Sequence, residues 1–322
     1  MSRILTGIQS TGTPHLGNIL GAIAPSIEMA NNPDNTSFLF IADMHSLTQI
    51  KDGKELRMNT YKTAAAWLAF GLNIEKTIFY RQSDVPQVAE LSWYLNCFFP
   101  YQRLTLAHGF KDKSERLEDV NCGLFTYPLL MAADILLYDA ELVPVGKDQL
   151  QHLEMARDIA TRFNHKMGKT LVPPKAVITE ETMLIPGTDG VKMSKSKNNF
   201  LDIFLPEKQL RKQVMKIQTD STPVASPKNT ENCNLFKLYK VVASEKQVSE
   251  MAKKYSEGNY GYGEAKQALF ELLIHKYQPQ RALFDHYLAN LDEIDKALLI
   301  GAEKARKIAN SCLQRVREKI GY

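Results

Sequence analysis

Ser37-Phe38-Leu39-Phe40-Ile41-Ala42 decides the fold. A strand with one wet face alternates apolar and polar residues. This run is nearly continuous in apolar residues, the mark of a parallel strand covered on both faces by helices. The chain on either side agrees. Upstream, Ile4-Leu5-Thr6-Gly7-Ile8 reads as a short apolar strand, and 16–30 reads as a helix. Pro14 stands near the first turn of that helix, where a missing N–H costs nothing. Downstream, 54–70 is helical with Ala64, Ala65, Trp67, Leu68 and Phe70 on its buried side, and Thr77-Ile78-Phe79-Tyr80 is a third strand. Helices follow at 86–98 and 123–137. Leu142-Val143-Pro144-Val145 is another strand and feeds a helix from 147, in which Leu153, Ala156, Ala160 and Phe163 recur at helical spacing. Strand alternating with helix predicts an α/β fold, a Rossmann-like doubly wound parallel sheet.

After residue 200 the strand signals stop. Segments 206–217, 234–254, 262–290 and 300–319 read as helices, broken at 221–232 and 258–263. The expected division is an α/β domain over 1–200, a basic all-helical domain over 201–295, and a C-terminal helix over 296–322 that can return to pack on the first domain. The net charge of +4 is unevenly spread: residues 1–200 carry 20 Lys and Arg against 21 Asp and Glu, residues 201–322 carry 20 against 15. A basic C-terminal part suits a polyanionic partner and equally a solvated helical surface. Hydrophobic content of 44% and charged content of 24% are those of an ordinary soluble protein. No apolar run approaches the length of a membrane span, and Met1-Ser2-Arg3 leads straight into a strand without a secretory signal. Cys97, Cys122, Cys233 and Cys312 are scattered and form no C-x-x-C pair, which points to free or buried thiols in a reducing cytoplasm.

Two motifs carry the chemistry. Pro14-His15-Leu16-Gly17-Asn18 puts an imidazole, a bare glycine and an amide at a helix N-terminus, where backbone N–H groups and the helix dipole attract phosphate. Lys192-Met193-Ser194-Lys195-Ser196 puts two ammonium groups on a polar loop that begins Pro186-Gly187-Thr188-Asp189-Gly190, with a third at Lys197. Together they look like the two halves of a triphosphate clamp. A third feature is Asp134, a carboxylate inside an otherwise apolar helix. A buried Asp is costly unless paired, so it reads as a cap, as half of a salt bridge, or as an acceptor for a ligand donor.

The two motifs resemble the HIGH and KMSKS signatures of class I aminoacyl-tRNA synthetases. Longer stretches are similar to the bacterial tryptophanyl-tRNA synthetases: Thr6-Gly7-Ile8-Gln9, the block from Thr126-Tyr127-Pro128 through Asp134 to Tyr138, and Val145-Gly146-Lys147-Asp148-Gln149-Leu150-Gln151-His152 on to Asn164. Thr219-Asp220-Ser221, Gly261-Tyr262-Gly263 and Gly301-Ala302-Glu303-Lys304-Ala305 complete the likeness over essentially the whole chain. Two departures, a short approach to the lysine loop and an extra Asn-Tyr before Gly261, touch regions outside the chemistry.

The resemblance implies activation of tryptophan by ATP, with Mg2+ carried by the nucleotide and no protein metal site, followed by transfer to tRNA(Trp). Joining a carboxylate to the α-phosphate needs no general base, because the carboxylate is already ionised; the work is positioning and charge stabilisation. The resemblance assigns His15 and Asn18 to the phosphates and Gly17 to close approach of the nucleotide. Lys192 and Lys195 are assigned to charge on the departing pyrophosphate. Lys111 is a candidate third phosphate lysine, or simply part of a charge-rich stretch. Asp148 is assigned the ribose, with Gly146 beside it; Gln9, Met183, Met193, Ser194 and Ser196 complete the ATP set. Asp134 is assigned to accept the indole N–H, with Met131 against the ring and Tyr127 and Gln149 on the substrate ammonium. Leu5, Gly7, Ala42 and Ile135 line the same pocket. His45 lies near the adenylate or is a core histidine. The resemblance also implies a cytoplasmic homodimer with its interface around Leu91-Ser92-Trp93-Tyr94-Leu95-Asn96-Cys97-Phe98-Phe99, and a tRNA anticodon contact in 201–295. The alternatives are a tyrosyl-tRNA synthetase, disfavoured by Asn18 and the Met-Ala-Ala-Asp block, a silent RNA-binding paralogue, disfavoured by the intact lysines, and a tRNA-independent adenylate-forming enzyme, disfavoured by the basic helical domain.

Overall fold

The computed structural model describes residues 2–106, 120–146, 149–178 and 185–322. Five strands, β1 (Ser2–Ile8), β2 (Asn35–Ile41), β3 (Ile78–Arg81), β4 (Leu142–Val145) and β5 (Lys175–Ile178), form one sheet in the order β3-β2-β1-β4-β5. Every neighbouring pair is parallel. The four strands expected from the sequence are present. β5 is additional: Lys-Ala-Val-Ile is too short to carry a periodicity and its first residue is exposed.

The pleat divides the strand residues between two cores. Leu39, Ile41 and Phe79 join one, while Phe38, Phe40, Ile78 and Tyr80 join the other. On the first face lie α1 (Leu16–Asn18), α2 (Ala24–Asn31) and α4 (Gly53–Ala69). Between α1 and α2 the helix widens into a π turn at Ile19–Ile23, where Pro25 cannot donate to the carbonyl one turn back. The short α3 (Asp43–Ser46) follows β2 directly. On the second face lie α5 (Gln87–Phe98), the short α6 (Tyr101–Leu104), α7 (Cys122–Leu136) and α8 (Leu150–Met167). The sheet is therefore doubly wound, as its apolar strands require.

Helices α9 (Glu207–Met215), α10 (Asn234–Val242), α11 (Glu245–Glu257), α12 (Tyr262–Lys276) and α13 (Gln278–Ala289) extend the first core. The single helices expected over 234–254 and 262–290 are each two. Ser244 breaks the first, its hydroxyl capping the Gln247 N–H and its own N–H donating to the Gln247 side chain. The second turns at Tyr277, ahead of Pro279. The last helix, α14 (Leu291–Ile320), begins well before the expected 300. It crosses from one face of the sheet to the other. Ile294 and Leu298 belong to the first core, whereas Ala302, Ala305, Ala309 and Leu313 belong to the second. The crossing point is Gly301, where a Cβ would stand 1.7 Å from the Phe79 carbonyl oxygen of β3. Arg81 and Tyr61 hold Asp295 at 2.8 Å each, and Arg317 grips Glu90 with two bonds of 2.6 and 2.7 Å. No helix among the described residues is long and apolar enough to cross a membrane.

Candidate active site

β1 and β4 pair only at Ile4↔Leu142 and then separate. Pro144, which has no N–H to give a neighbouring strand, stands two residues on. From β1 the chain moves to β2 on one side, and it reaches β4 on the other. The strand order thus reverses here, and the crevice beyond the strand ends is where open α/β sheets take ligands. A cavity of about 1000 Å³ opens at this point. Leu5, Gly7 and Gln9 enter it from β1 and its end, Ala42 and His45 from beyond β2, and Gly146 and Gln149 from beyond β4. Gly7 is required by close packing: a Cβ there would lie 2.4 Å from the Phe40 ring.

One end of the cavity brings a helix N-terminus and the lysine loop together. His15 caps the first turn of α1, its Nδ1 accepting the Asn18 N–H at 3.2 Å while Asn18 Oδ1 accepts the His15 N–H at 3.2 Å. Burial, helped by the charge of Lys195, lowers the His15 pKa to about 4, so the ring is neutral at physiological pH. With Nδ1 an acceptor, the proton sits on Nε2. The lysine loop closes over this helix start. Met193 is buried, and its sulfur accepts the Gly17 N–H at 3.3 Å. Lys195 Nζ donates to the Thr11 carbonyl at 3.2 Å, and Gly12, at φ +112, leaves the space beside it. Burial lowers the Lys195 pKa to about 8, against the pull of Asp202. Lys192 and Ser196 are exposed, Ser194 is half-buried, and all three reach the cavity.

The loop has an organiser that its sequence did not announce. Asn199 is buried, and its side chain donates to Asp189 at 2.7 Å and to the Lys192 carbonyl at 3.1 Å, while accepting the Ser194 N–H at 2.7 Å. All three partners lie within the lysine loop. An Asn after a polar loop is ordinary in sequence, so only the fold reveals this role.

The other end is apolar with two polar clusters, one around Asp134 and one around His152. Met131 and Ile135 from α7 line it beside Leu5 and Ala42. Asp134 is not the isolated carboxylate that its helix implied. His45 Nε2 lies 2.9 Å from its Oδ2, and Gln82 Nε2 lies 2.9 Å from both oxygens. Its partners are thus a histidine and an amide, not the Lys or Arg of a salt bridge. Tyr127 and Gln149 are joined through His152, whose Nε2 is 2.6 Å from the phenol and whose Nδ1 is 3.1 Å from Gln149 Oε1. Gln82 and His152 are both buried. Gln82 follows β3 without any motif, so nothing in the sequence marks it. His152, inside the Gln149-to-His152 block, could have been found by its i, i+3 spacing from Gln149 on one helix face.

Lys111, Asp148 and Met183 lie outside the described residues. All other residues assigned to ATP or tryptophan line this one cavity. Among the described residues no three His, Cys, Asp or Glu side chains converge as metal ligands.

Known proteins share both sequence and fold. The family model described as tRNA synthetases class I (W and Y) matches residues 1–278. The tryptophan–tRNA ligase of Campylobacter jejuni (strain RM1221) is 44% identical over 319 residues, 99% of either chain. That of Rhodopirellula baltica is 45% identical over 319 residues, again 99% of either chain. The crystal structure of the C. jejuni tryptophanyl-tRNA synthetase complexed with ADP and tryptophan matches with a TM-score of 0.95 at 44% identity, covering 99% of this chain and 100% of that one. With likeness of this depth running the full length of the fold, the chain belongs to the class I tRNA synthetases of the W and Y family, among the bacterial tryptophanyl-tRNA synthetases.

Proposed function

We propose that the protein joins L-tryptophan to ATP as tryptophanyl-adenylate, releasing pyrophosphate, and then transfers tryptophan to tRNA(Trp), releasing AMP. The observation that carries this is one cavity with a helix N-terminus and two lysines at one end and, at the other, a buried carboxylate in an apolar wall. The full-length relatives named for this reaction, and the ADP and tryptophan in the C. jejuni structure, support it.

In this reading the tryptophan ring lies against Met131 with its N–H on Asp134. Tyr127 and Gln149, spaced by His152, receive the ammonium. The carboxylate then meets the α-phosphate already ionised, so the chain's task is alignment. Neutral His15 donates through Nε2 to a phosphate oxygen. Gly17 and Asn18 present the helix N-terminus, and Lys192 and Lys195 take up charge as pyrophosphate departs. Gln9, Gly146 and Asp148 hold the nucleoside. Mg2+ carried by ATP would supply further charge neutralisation on the phosphates, beside His15, Lys192 and Lys195. Residues 201–295 receive the tRNA through exposed cations. The working form is a cytoplasmic homodimer. ATP–pyrophosphate exchange with each of the twenty amino acids, with and without tRNA, tests the core of this: exchange confined to tryptophan is expected, and a preference for tyrosine or no exchange would refute it.

A further inference from the structure

A carboxylic acid at Asp134 would select an indole less well than a carboxylate. It keeps only its carbonyl oxygen as a good acceptor, and its O–H can face the ring N–H donor to donor. Selection needs Asp134 as an acceptor, yet its surroundings press the other way. The residue is 3% exposed, and burial raises its pKa. Two side chains oppose burial. The His45 contact at 2.9 Å has a polarity that depends on the ring tautomer. The Gln82 contact does not. Gln82 Oε1 accepts the His45 backbone N–H at 3.3 Å, and that group can only donate. The amide is thereby oriented, oxygen toward the backbone and NH2 toward both oxygens of Asp134 at 2.9 Å. Gln82 is 1% exposed and stands in the turn Gln82–Asp84 after β3, behind Asp134 and outside the cavity lining.

We infer that Gln82 is a specificity-determining positioning residue: it passes the fixed polarity of the His45 backbone N–H to Asp134 and so keeps the pocket an acceptor for a ring N–H. Donors converge on the carboxylate: on one side backbone N–H to amide to carboxylate, on the other the ring N–H of the substrate. The other ionisable groups facing Asp134 are the His45 ring and Asp43 from α3, Tyr80 from β3 and Tyr138 beyond α7. Of these Asp43 disfavours the carboxylate, and the His45 ring supports it only in the tautomer or charge state that puts a proton on Nε2. The inference rests on the tryptophan-activating reading above.

The test compares L-tryptophan with its isostere in which sulfur replaces the indole N–H, each in ATP–pyrophosphate exchange. Gln82→Met keeps the length of the side chain and removes its donors. We expect the ratio of kcat/KM for the two substrates to fall about tenfold or more, through KM for tryptophan. The kcat/KM of the sulfur isostere and the KM of ATP should stay within about twofold of the parent. Equal losses for both substrates would reduce Gln82 to packing and overturn the inference, as would undiminished discrimination. A parent that activates tryptophan but does not discriminate would overturn it too while leaving the activity in place; a parent that activates no tryptophan would sink the functional reading itself. Should Gln82→Met fail to fold, Gln82→Glu carries the test. The new acid shares a proton with Asp134 and can donate it, so discrimination should survive at neutral pH and fall as pH rises and that proton leaves. The parent should stay flat over the same range; a flat variant would overturn the inference.

Discussion

At the scale of single residues the site is a study in burial against charge. Lys195 holds its proton with a pKa near 8, lowered because the ammonium is half out of water. Negative phosphate beside it favours the protonated form and raises that pKa. ATP binding near pH 8 should therefore take up about half a proton, more at higher pH and none near neutrality. Calorimetry in buffers of different ionisation enthalpy measures this directly. Lys195→Arg, whose guanidinium never gives up its proton, should show no uptake. Equal proton counts for the two proteins would remove Lys195 from the phosphates. That His15, Gly17, Lys192 and Lys195 share one cavity was legible because His, Gly and Lys each have a phosphate chemistry of their own that singled them out in the sequence. Gln82 was not, because a buried amide takes its meaning from a partner 52 residues away, whereas His152 left a trace in its i, i+3 spacing from Gln149 though its contact with Tyr127 spans 25 residues.

At the scale of elements, apolar runs announced the strands and periodicity announced the helices. What stayed hidden were the places where one helix becomes two, and the true start of α14. Those depend on caps and on the surface each helix meets. Gly301 shows the second kind. Helix propensity counts a glycine there as a weakness of about 1 kcal/mol, yet α14 needs it to touch the Phe79 carbonyl. Gly301→Ala should then destabilise the protein by about 3 kcal/mol, the reverse of its usual effect in a helix. Thermal or denaturant unfolding reads the change; a neutral or more stable variant would show that α14 does not cross β3 this closely.

At the scale of the whole molecule, two surfaces bear on the proposed partners. Trp93 is 68% exposed and Tyr101 67% exposed on the second face. Phe98, from the same apolar run, instead packs on Phe163 with ring centroids 4.8 Å apart, so it serves the fold of one chain. Trp93→Glu is the clean test of the proposed dimer. Sedimentation should show a monomer with activity reduced in step, and a fully active monomer would refute the two-fold interface. Arg211, Lys212, Lys216, Lys237 and Lys240 are all exposed on α9 and α10 and just beyond. Replacing them together by Ala should flatten the salt dependence of tRNA binding and leave tRNA-free exchange unchanged. An unaltered slope would move the tRNA elsewhere. The crossing of α14 over β3 reaches beyond equilibrium, into synthesis. β3 is the outer strand of the sheet, and an uncovered edge invites pairing with other chains. During translation that edge emerges roughly 200 residues before its cover is complete, a delay of about 10–40 s at the usual rate of chain growth. Throughout that interval the nascent chain carries an open β edge, so messages cut short before the last helix yield a product destined for chaperones or aggregates rather than a weaker enzyme.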